Sequence, residues 1–123
     1  MPILAASDNG SPDVRKILPG FSLQTELAML VAEGITPLAA LQSATLNPAK
    51  MLHATDSLGT VAAGKLADLV LLDANPLADI TNTTTIRGVV ANGRYFDRAA
   101  LDSLLTDARP PAFVRWAADT ASP

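Results

Sequence analysis

With 123 residues, 49% hydrophobic and 17% charged, the chain is one domain's worth of polypeptide with enough apolar content to bury a core. That length excludes a complete (β/α)8 barrel, which takes roughly 250 residues, and the composition excludes a disordered chain. Nine basic and twelve acidic residues give a net charge of −3 with the cations scattered along the chain, so nucleic acid is not an expected partner.

The chain has no cysteine, which removes disulfides and thiolate metal sites from consideration. No stretch approaches the ~20 apolar residues of a membrane helix, and the opening apolar run lacks the basic flank and length of a signal peptide. A membrane is therefore not an expected partner, and the cytoplasm is the default location.

The first element is the apolar run Ile3-Leu4-Ala5-Ala6, read as a strand that stops on Ser7-Asp8-Asn9-Gly10. A proline- and glycine-rich loop follows over 11–21. In SLQTELAMLVAEG, Leu23, Leu27, Leu30 and Val31 recur at helical spacing, with Ser22 as the expected N-cap and Gly34 just past the end. Thr36-Pro37 supplies a second N-cap and an N1 proline, because proline's missing N–H costs nothing in the first turn. Asn47-Pro48 repeats the device before AKMLHA, so residues 22–53 read as three consecutive helices, the last one short.

After a boundary near 54–58 the chain changes character. The run Leu69-Val70-Leu71-Leu72, set between Asp68 and Asp73, reads as a strand buried on both faces. Asn92-Gly93 is the preferred pair for a type I′ hairpin turn, since both residues tolerate positive φ. That turn places Ala91 opposite Arg94, Val90 opposite Tyr95 and Val89 opposite Phe96. Asp97 then caps a helix with Leu101, Leu104 and Leu105 on one face, and the tail brings Phe113, Trp116 and Ala117 together over one or two further helical turns.

Chemistry-bearing residues are few. Asp8, directly after an apolar strand, stands where α/β barrels place groups facing the substrate. Ser-Asp-Asn-Gly is equally good turn sequence, and the residues alone leave both readings open. His53 is the sole histidine, so this chain cannot assemble a histidine-based metal site; its place at a helix end suits a structural role. Asp68 and Asp73 read as strand stops, and Asp56, Asp79 and Asp97 as turn or cap residues. No serine has a histidine base beside it in sequence, and no glycine pattern matches a phosphate loop.

The stretches PILAASDNG, PGFSLQTELAMLVAEGITPLAALQSATLNPAKML, LGTVAAGKLADLVLLDANPLADI and VVANGRYFDR, in that order, span residues 2 to about 105. Together they resemble the C-terminal part of metal-dependent amidohydrolases, in particular the imidazolonepropionase and prolidase-like group. The resemblance implies an α+β or α/β fragment: the last strand and outer helices of an amidohydrolase (β/α)8 barrel, plus part of a composite β-sandwich. It divides the chain into residues 1–55 for the barrel portion, 56–97 for the partial sandwich with the Asn92-Gly93 hairpin, and 98–123 for the closing helix and tail.

By the same resemblance Asp8 matches the catalytic aspartate that binds the metal and shuttles a proton from metal-bound water, a divalent cation having lowered that water's pKa. Such enzymes usually read Gly-Thr-Asp where this chain has Ala6-Ser7-Asp8, and carry histidine where Gln24 stands. Their His-x-His pair, their carboxylated lysine or glutamate and their two later histidines lie upstream of the matching stretches. The implied cofactor of the complete enzyme is a divalent metal, zinc first, and tight metal binding by this chain alone is not expected. The expected reading is a C-terminal fragment of a hydrolase of amide, peptide or cyclic amide bonds, inactive alone. The alternative is a non-catalytic module that forms homo-oligomers through unpaired strand edges or complements an upstream barrel fragment.

Overall fold

The structure, a computed structural model, describes residues 3–6 and 20–107. In chain order these hold α1 (Phe21–Ala32), α2 (Pro37–Ala44), α3 (Leu46–Met51), β1 (Leu69–Leu72), a 3₁₀ turn (Ile80–Thr84), β2 (Ile86–Ala91), β3 (Arg94–Phe96) and α4 (Arg98–Asp107). Asp8, most of the loop over 11–21, and the tail residues Phe113, Trp116 and Ala117 lie outside the described residues.

The first helix starts two residues earlier than its sequence suggests. Gly20, at φ 84°, is the N-cap and Phe21 the first helical residue, so Ser22 sits inside the first turn and does not cap the helix. A backbone turn that needs positive φ is open to glycine at no steric cost, which lets the helix begin before the serine. The other end follows expectation. Gly34 at φ 94° turns the chain left-handed, Gly34 N–H donates to Val31 O and Ile35 N–H to Leu30 O, both at 3.0 Å. This double bond pattern is a Schellman stop, and it brings Ile35 back toward the apolar face of α1.

Thr36 caps α2 as expected, its hydroxyl accepting from Ala39 N–H at 3.3 Å with Pro37 at the first position. For α3 the cap is Thr45, not Asn47: the helix begins at Leu46, three residues before the expected AKMLHA, and Pro48 falls within its first turn. Asn47 is drawn away by a distant acceptor, its amide donating to Ile3 O at 2.9 Å. The α3 terminus is a second Schellman stop, with His53 N–H on Lys50 O and Ala54 N–H on Ala49 O. Here the left-handed position is filled by His53, at φ 53°.

Leu27 of α1, Ala40 of α2 and Ile80 of the 3₁₀ turn form the core, with Ala5, Ala28, Leu30, Val31, Ile35, Leu41 and Ala44 half-buried around them. Small residues at the crossing let α1 and α2 approach closely. Beyond α3 the chain runs through turns tied by Lys65, whose Nζ donates to Thr55 O at 2.7 Å and to the Thr60 hydroxyl at 2.5 Å. Gly59, at φ 86°, passes so near α3 that a Cβ would lie 2.7 Å from Ala49 Cβ. Only glycine fits both that backbone and that gap.

The sheet is antiparallel in the order β1-β2-β3. Its hairpin has the expected register, Ala91 with Arg94, Val90 with Tyr95 and Val89 with Phe96. Asn92 at φ 49° and Gly93 at φ 76° form the turn. Asp68 does more than end a strand: its carboxylate accepts from Asn92 N–H at 2.6 Å and so holds that turn against β1. Between β1 and β2 the register slips, Leu71 facing Gly88 and Leu72 facing Ile86. The extra residue, Arg87, is a bulge, and its guanidinium reaches Asp73 at 2.6 Å.

β1 is not buried on both faces. Val70 is 58% and Leu71 40% exposed, while Leu69 and Leu72 are half-buried; among the described residues β2 is the only strand paired with β1, which leaves its other edge open. Asp97 caps α4 through Ala100 N–H at 2.8 Å as expected, but the leucine face of α4 is open, with no residue of the helix buried.

Candidate functional site

The end of the opening run is where the sequence places its one site carboxylate, and the structure shows how that end is held. Residues 3–6 take no strand partner among the described residues. Each of the three helices contributes one hydrogen bond to them instead. Asn47 of α3 donates to Ile3 O at 2.9 Å, Ala5 N–H donates to Ser43 O of α2 at 3.0 Å, and Ala6 N–H donates to Glu26 Oε1 of α1 at 3.0 Å. Ser43 itself is buried and its hydroxyl donates to Ala40 O at 2.6 Å, which fixes the carbonyl frame that receives Ala5.

Ala6 precedes Asp8 by two residues, so Glu26 acts on the chain just before the candidate carboxylate. Sequence reasoning passed over Glu26. The available signal was its spacing, three residues after Leu23 and four before Leu30, which puts a carboxylate on the border of the apolar stripe of α1. Two positions earlier, Gln24 stands where the resembling enzymes usually carry histidine. Its Oε1 is buried without a hydrogen-bond partner among the described residues, a state that costs about 1–3 kcal/mol.

At the other end of the opening run a cleft of about 220 Å³ lies between Ile3, Leu30, Ile35, Ala39, Gln42 and Asn47. It opens beside Ile3, at the start of the run.

Donor chemistry at the remaining polar positions is structural. Among the described residues no group of three histidine, cysteine, aspartate or glutamate side chains could hold a metal ion. His53 is exposed at the left-handed end of α3. Asp73 is paired with Arg87. Asp79 caps the 3₁₀ turn, accepting from Thr81 N–H at 2.9 Å and the Thr81 hydroxyl at 2.7 Å. Those two bonds, the hydroxyl's first, hold its carboxyl below the usual aspartate value. The described residues therefore do not make a metal centre by themselves. No helix among them is long and apolar enough to cross a membrane.

Comparison with known proteins places this geometry in a family. The amidohydrolase family profile matches residues 4–95, from the opening run through the hairpin. An adenine deaminase of Rubrobacter xylanophilus is 33% identical over 93 residues, covering 74% of this chain and 15% of that protein. The structure of a molinate hydrolase superposes with a TM-score of 0.61 at 42% identity, over 73% of this chain and 20% of the other. That of a Xaa-Pro dipeptidase with methionine in its active site does so with a TM-score of 0.58 at 35% identity, over 61% and 18% respectively. The chain thus spans a fifth or less of each of these three proteins. The match over residues 4–95 takes in most of the opening run, the helices that hold it and the hairpin turn, and on that evidence the chain belongs to the amidohydrolase family.

Proposed function

We propose that these 123 residues are the C-terminal portion of a metal-dependent hydrolase of C–N bonds, amide, peptide or cyclic amide, and that they do not turn over substrate alone. Asp8 is the residue they contribute to the metal site. The opening run is the last strand of a barrel, α1 to α3 are outer helices, and the sheet is part of a composite sandwich. One observation carries the reading: the family match spans residues 4–95, while the chain's only histidine sits exposed at the end of α3. The ligands of such a site must therefore come from polypeptide outside this sequence. When bound, a divalent cation, zinc first, supplies a Lewis acid and a hydroxide at neutral pH.

The test is metal content and amidase, dipeptidase and adenine deaminase turnover of the purified chain. Neither stoichiometric metal nor turnover is expected. Tight zinc with turnover, both abolished by Asp8→Ala, would overturn the reading.

A second reading is favoured by the bare edge of β1: a non-catalytic module that assembles through that edge, with another copy or with an upstream barrel fragment. Four consecutive apolar residues without a charge or proline form an unguarded edge. Light scattering at micromolar concentration separates the two readings, oligomers lost in Leu71→Lys supporting assembly and a monodisperse monomer excluding self-assembly. Activity restored on mixing with the upstream portion of a related enzyme would support complementation.

A further inference from the structure

We infer, independently of the proposed function, that Asn92 is a site of spontaneous deamidation and that Asp68 and the Ala67 carbonyl hold the reaction back in the folded chain. Asparagine followed by glycine is the pair in which this reaction meets least steric resistance, because glycine leaves its backbone nitrogen unshielded. Asn92 and Gly93 are both exposed at the tip of the hairpin, and a Cβ placed on Gly93 would meet no atom within 4 Å. Water and base therefore reach the turn.

The step is an intramolecular substitution. The Gly93 nitrogen gives up its proton and attacks Asn92 Cγ. The new N–Cγ bond closes a succinimide ring, the Cγ–Nδ2 bond breaks, and the side-chain nitrogen leaves as ammonia, carrying the proton that the glycine nitrogen released. Water then opens the ring at either carbonyl, leaving an aspartyl or an isoaspartyl residue. Water is the only co-reactant.

The folded turn opposes the attack. With Asn92 at φ 49° and Gly93 at φ 76°, the loop is a type I′ turn, in which the nitrogen following Asn92 stands anti to its Cβ and far from Cγ. Attack requires the peptide between the two residues to swing over, and two hydrogen bonds tie the turn down. Gly93 N–H, the attacking nitrogen's own proton, is donated to Ala67 O at 3.0 Å. Asn92 N–H is donated to Asp68 Oδ1 at 2.6 Å. The Asp68 charge also disfavours the anion that forms when the neighbouring Gly93 nitrogen loses its proton. Once formed, the product undoes the turn that delayed it. It puts a second negative charge on a residue whose backbone is bonded to Asp68, and the isoaspartyl form adds a methylene to the main chain of a two-residue loop. The pairs Val90 with Tyr95 and Val89 with Phe96 depend on that loop length.

The experiment incubates the full chain in mildly alkaline buffer, folded and in urea. The mass change from amide to acid is mapped by peptide, and isoaspartyl content is read by enzymatic methylation. Mapping separates Asn92 from the chain's other Asn-Gly pair, Asn9-Gly10. Asn92 is expected to convert in urea as fast as in a short peptide of the same sequence, and about tenfold slower in the folded chain. Asp68→Ala is expected to speed conversion in the folded chain about tenfold, the worth of one bond to a charged acceptor, and Asp68→Asn, which keeps an acceptor oxygen, by less. Amide exchange at Gly93 should rise in the same order while exchange at Leu27, in the helical core, stays unchanged, which separates opening of the turn from global unfolding. Absence of conversion at Asn92 in urea would overturn the site. Equal rates in the folded and unfolded chain, or a rate indifferent to both Asp68 substitutions, would overturn the restraint. If Asp68→Ala does not fold, Asp68→Asn and the ratio of folded to unfolded rates in the wild type decide between the same outcomes.

Discussion

Leu27 on α1 and Leu104 on α4 are the same residue type on two amphipathic helices of one chain, yet Leu27 is 3% exposed and Leu104 52%. The regions around them differ in the same way. Around Leu27, α1, α2, the opening run and the 3₁₀ turn share a small core with α3 packed beside α2, and the helix termini are closed by a threonine cap and two Schellman stops. Around Leu104, ladder bonds join three strands, and Arg98, paired with Asp102 of the same helix at 2.7 Å, ties α4 to the sheet by donating to Ile86 O, with no buried side chain on α4. An equal supply of leucine does not make an equal core; a second apolar face must be present to receive it. The helical region finds its second face within the described residues and the sheet region does not.

The sharpest way to break this comparison is to truncate both leucines. Leu27→Ala is expected to destabilise the chain by about 3 kcal/mol, within the range for buried leucines that leave a cavity, and Leu104→Ala by less than about 0.5 kcal/mol, both read from urea midpoints. Equal losses would mean that α4 is covered in solution, and would direct attention to what covers it.

Next in size is Gly59→Ala, expected to cost about 2 kcal/mol, because the left-handed backbone disfavours any Cβ and this one meets Ala49 at 2.7 Å. The effect should be read as a lowered unfolding midpoint with an unchanged denaturant slope. It tests whether the loop is closed firmly against α3.

A smaller change with the opposite sign is His53→Gly. Relieving a left-handed non-glycine residue is worth about 1–2 kcal/mol, and glycine's extra freedom in the unfolded chain takes back about half to one of these. The net expectation is a gain of about 0.5 kcal/mol, seen as a small rise in thermal midpoint.

The smallest effect is that of Asp79, which joins the two regions through the cap of the 3₁₀ turn. Its carboxyl is lowered below the ordinary value of 3.8. Its contribution is therefore fully present above that value and is lost as pH falls through the lowered one. The stability difference between wild type and Asp79→Ala should hold steady from pH 7 to about pH 5 and shrink only in the acid limb below about pH 4. A difference that grew on acidification would assign the wrong sign to the cap.

Much of the fold was legible because its rules are local. Asn92-Gly93 dictates its own turn and, through it, three pairs of facing residues. Thr36-Pro37 and Asp97 cap the helices they precede. Where local rules competed, the outcome turned on something distant. Asn47 looked like a cap and became a tether because Ile3 O, 44 residues earlier, was within reach. Ser22 yielded its place to Gly20 because a glycine can turn where serine would be strained. The apolar run of β1 was recognisable as a strand, while its exposure was not, since burial depends on a neighbour that no residue of the run can reveal.

The candidate site divides along the same line. The sequence by itself determined that Asp8 follows an apolar run, that the motifs from there to the hairpin come in amidohydrolase order, and that a lone histidine cannot complete a metal site. Those are statements about residue type, order and number, which a linear string carries in full. Only the tertiary structure decided that Glu26, Ser43 and Asn47 converge on the opening run, that Asp68 holds the hairpin turn, and that Val70 and Leu71 of β1 and Leu104 and Leu105 of α4 stay exposed. Each of those depends on a hydrogen bond or a packing partner many residues away, and such partners are chosen by the meeting of whole elements in space.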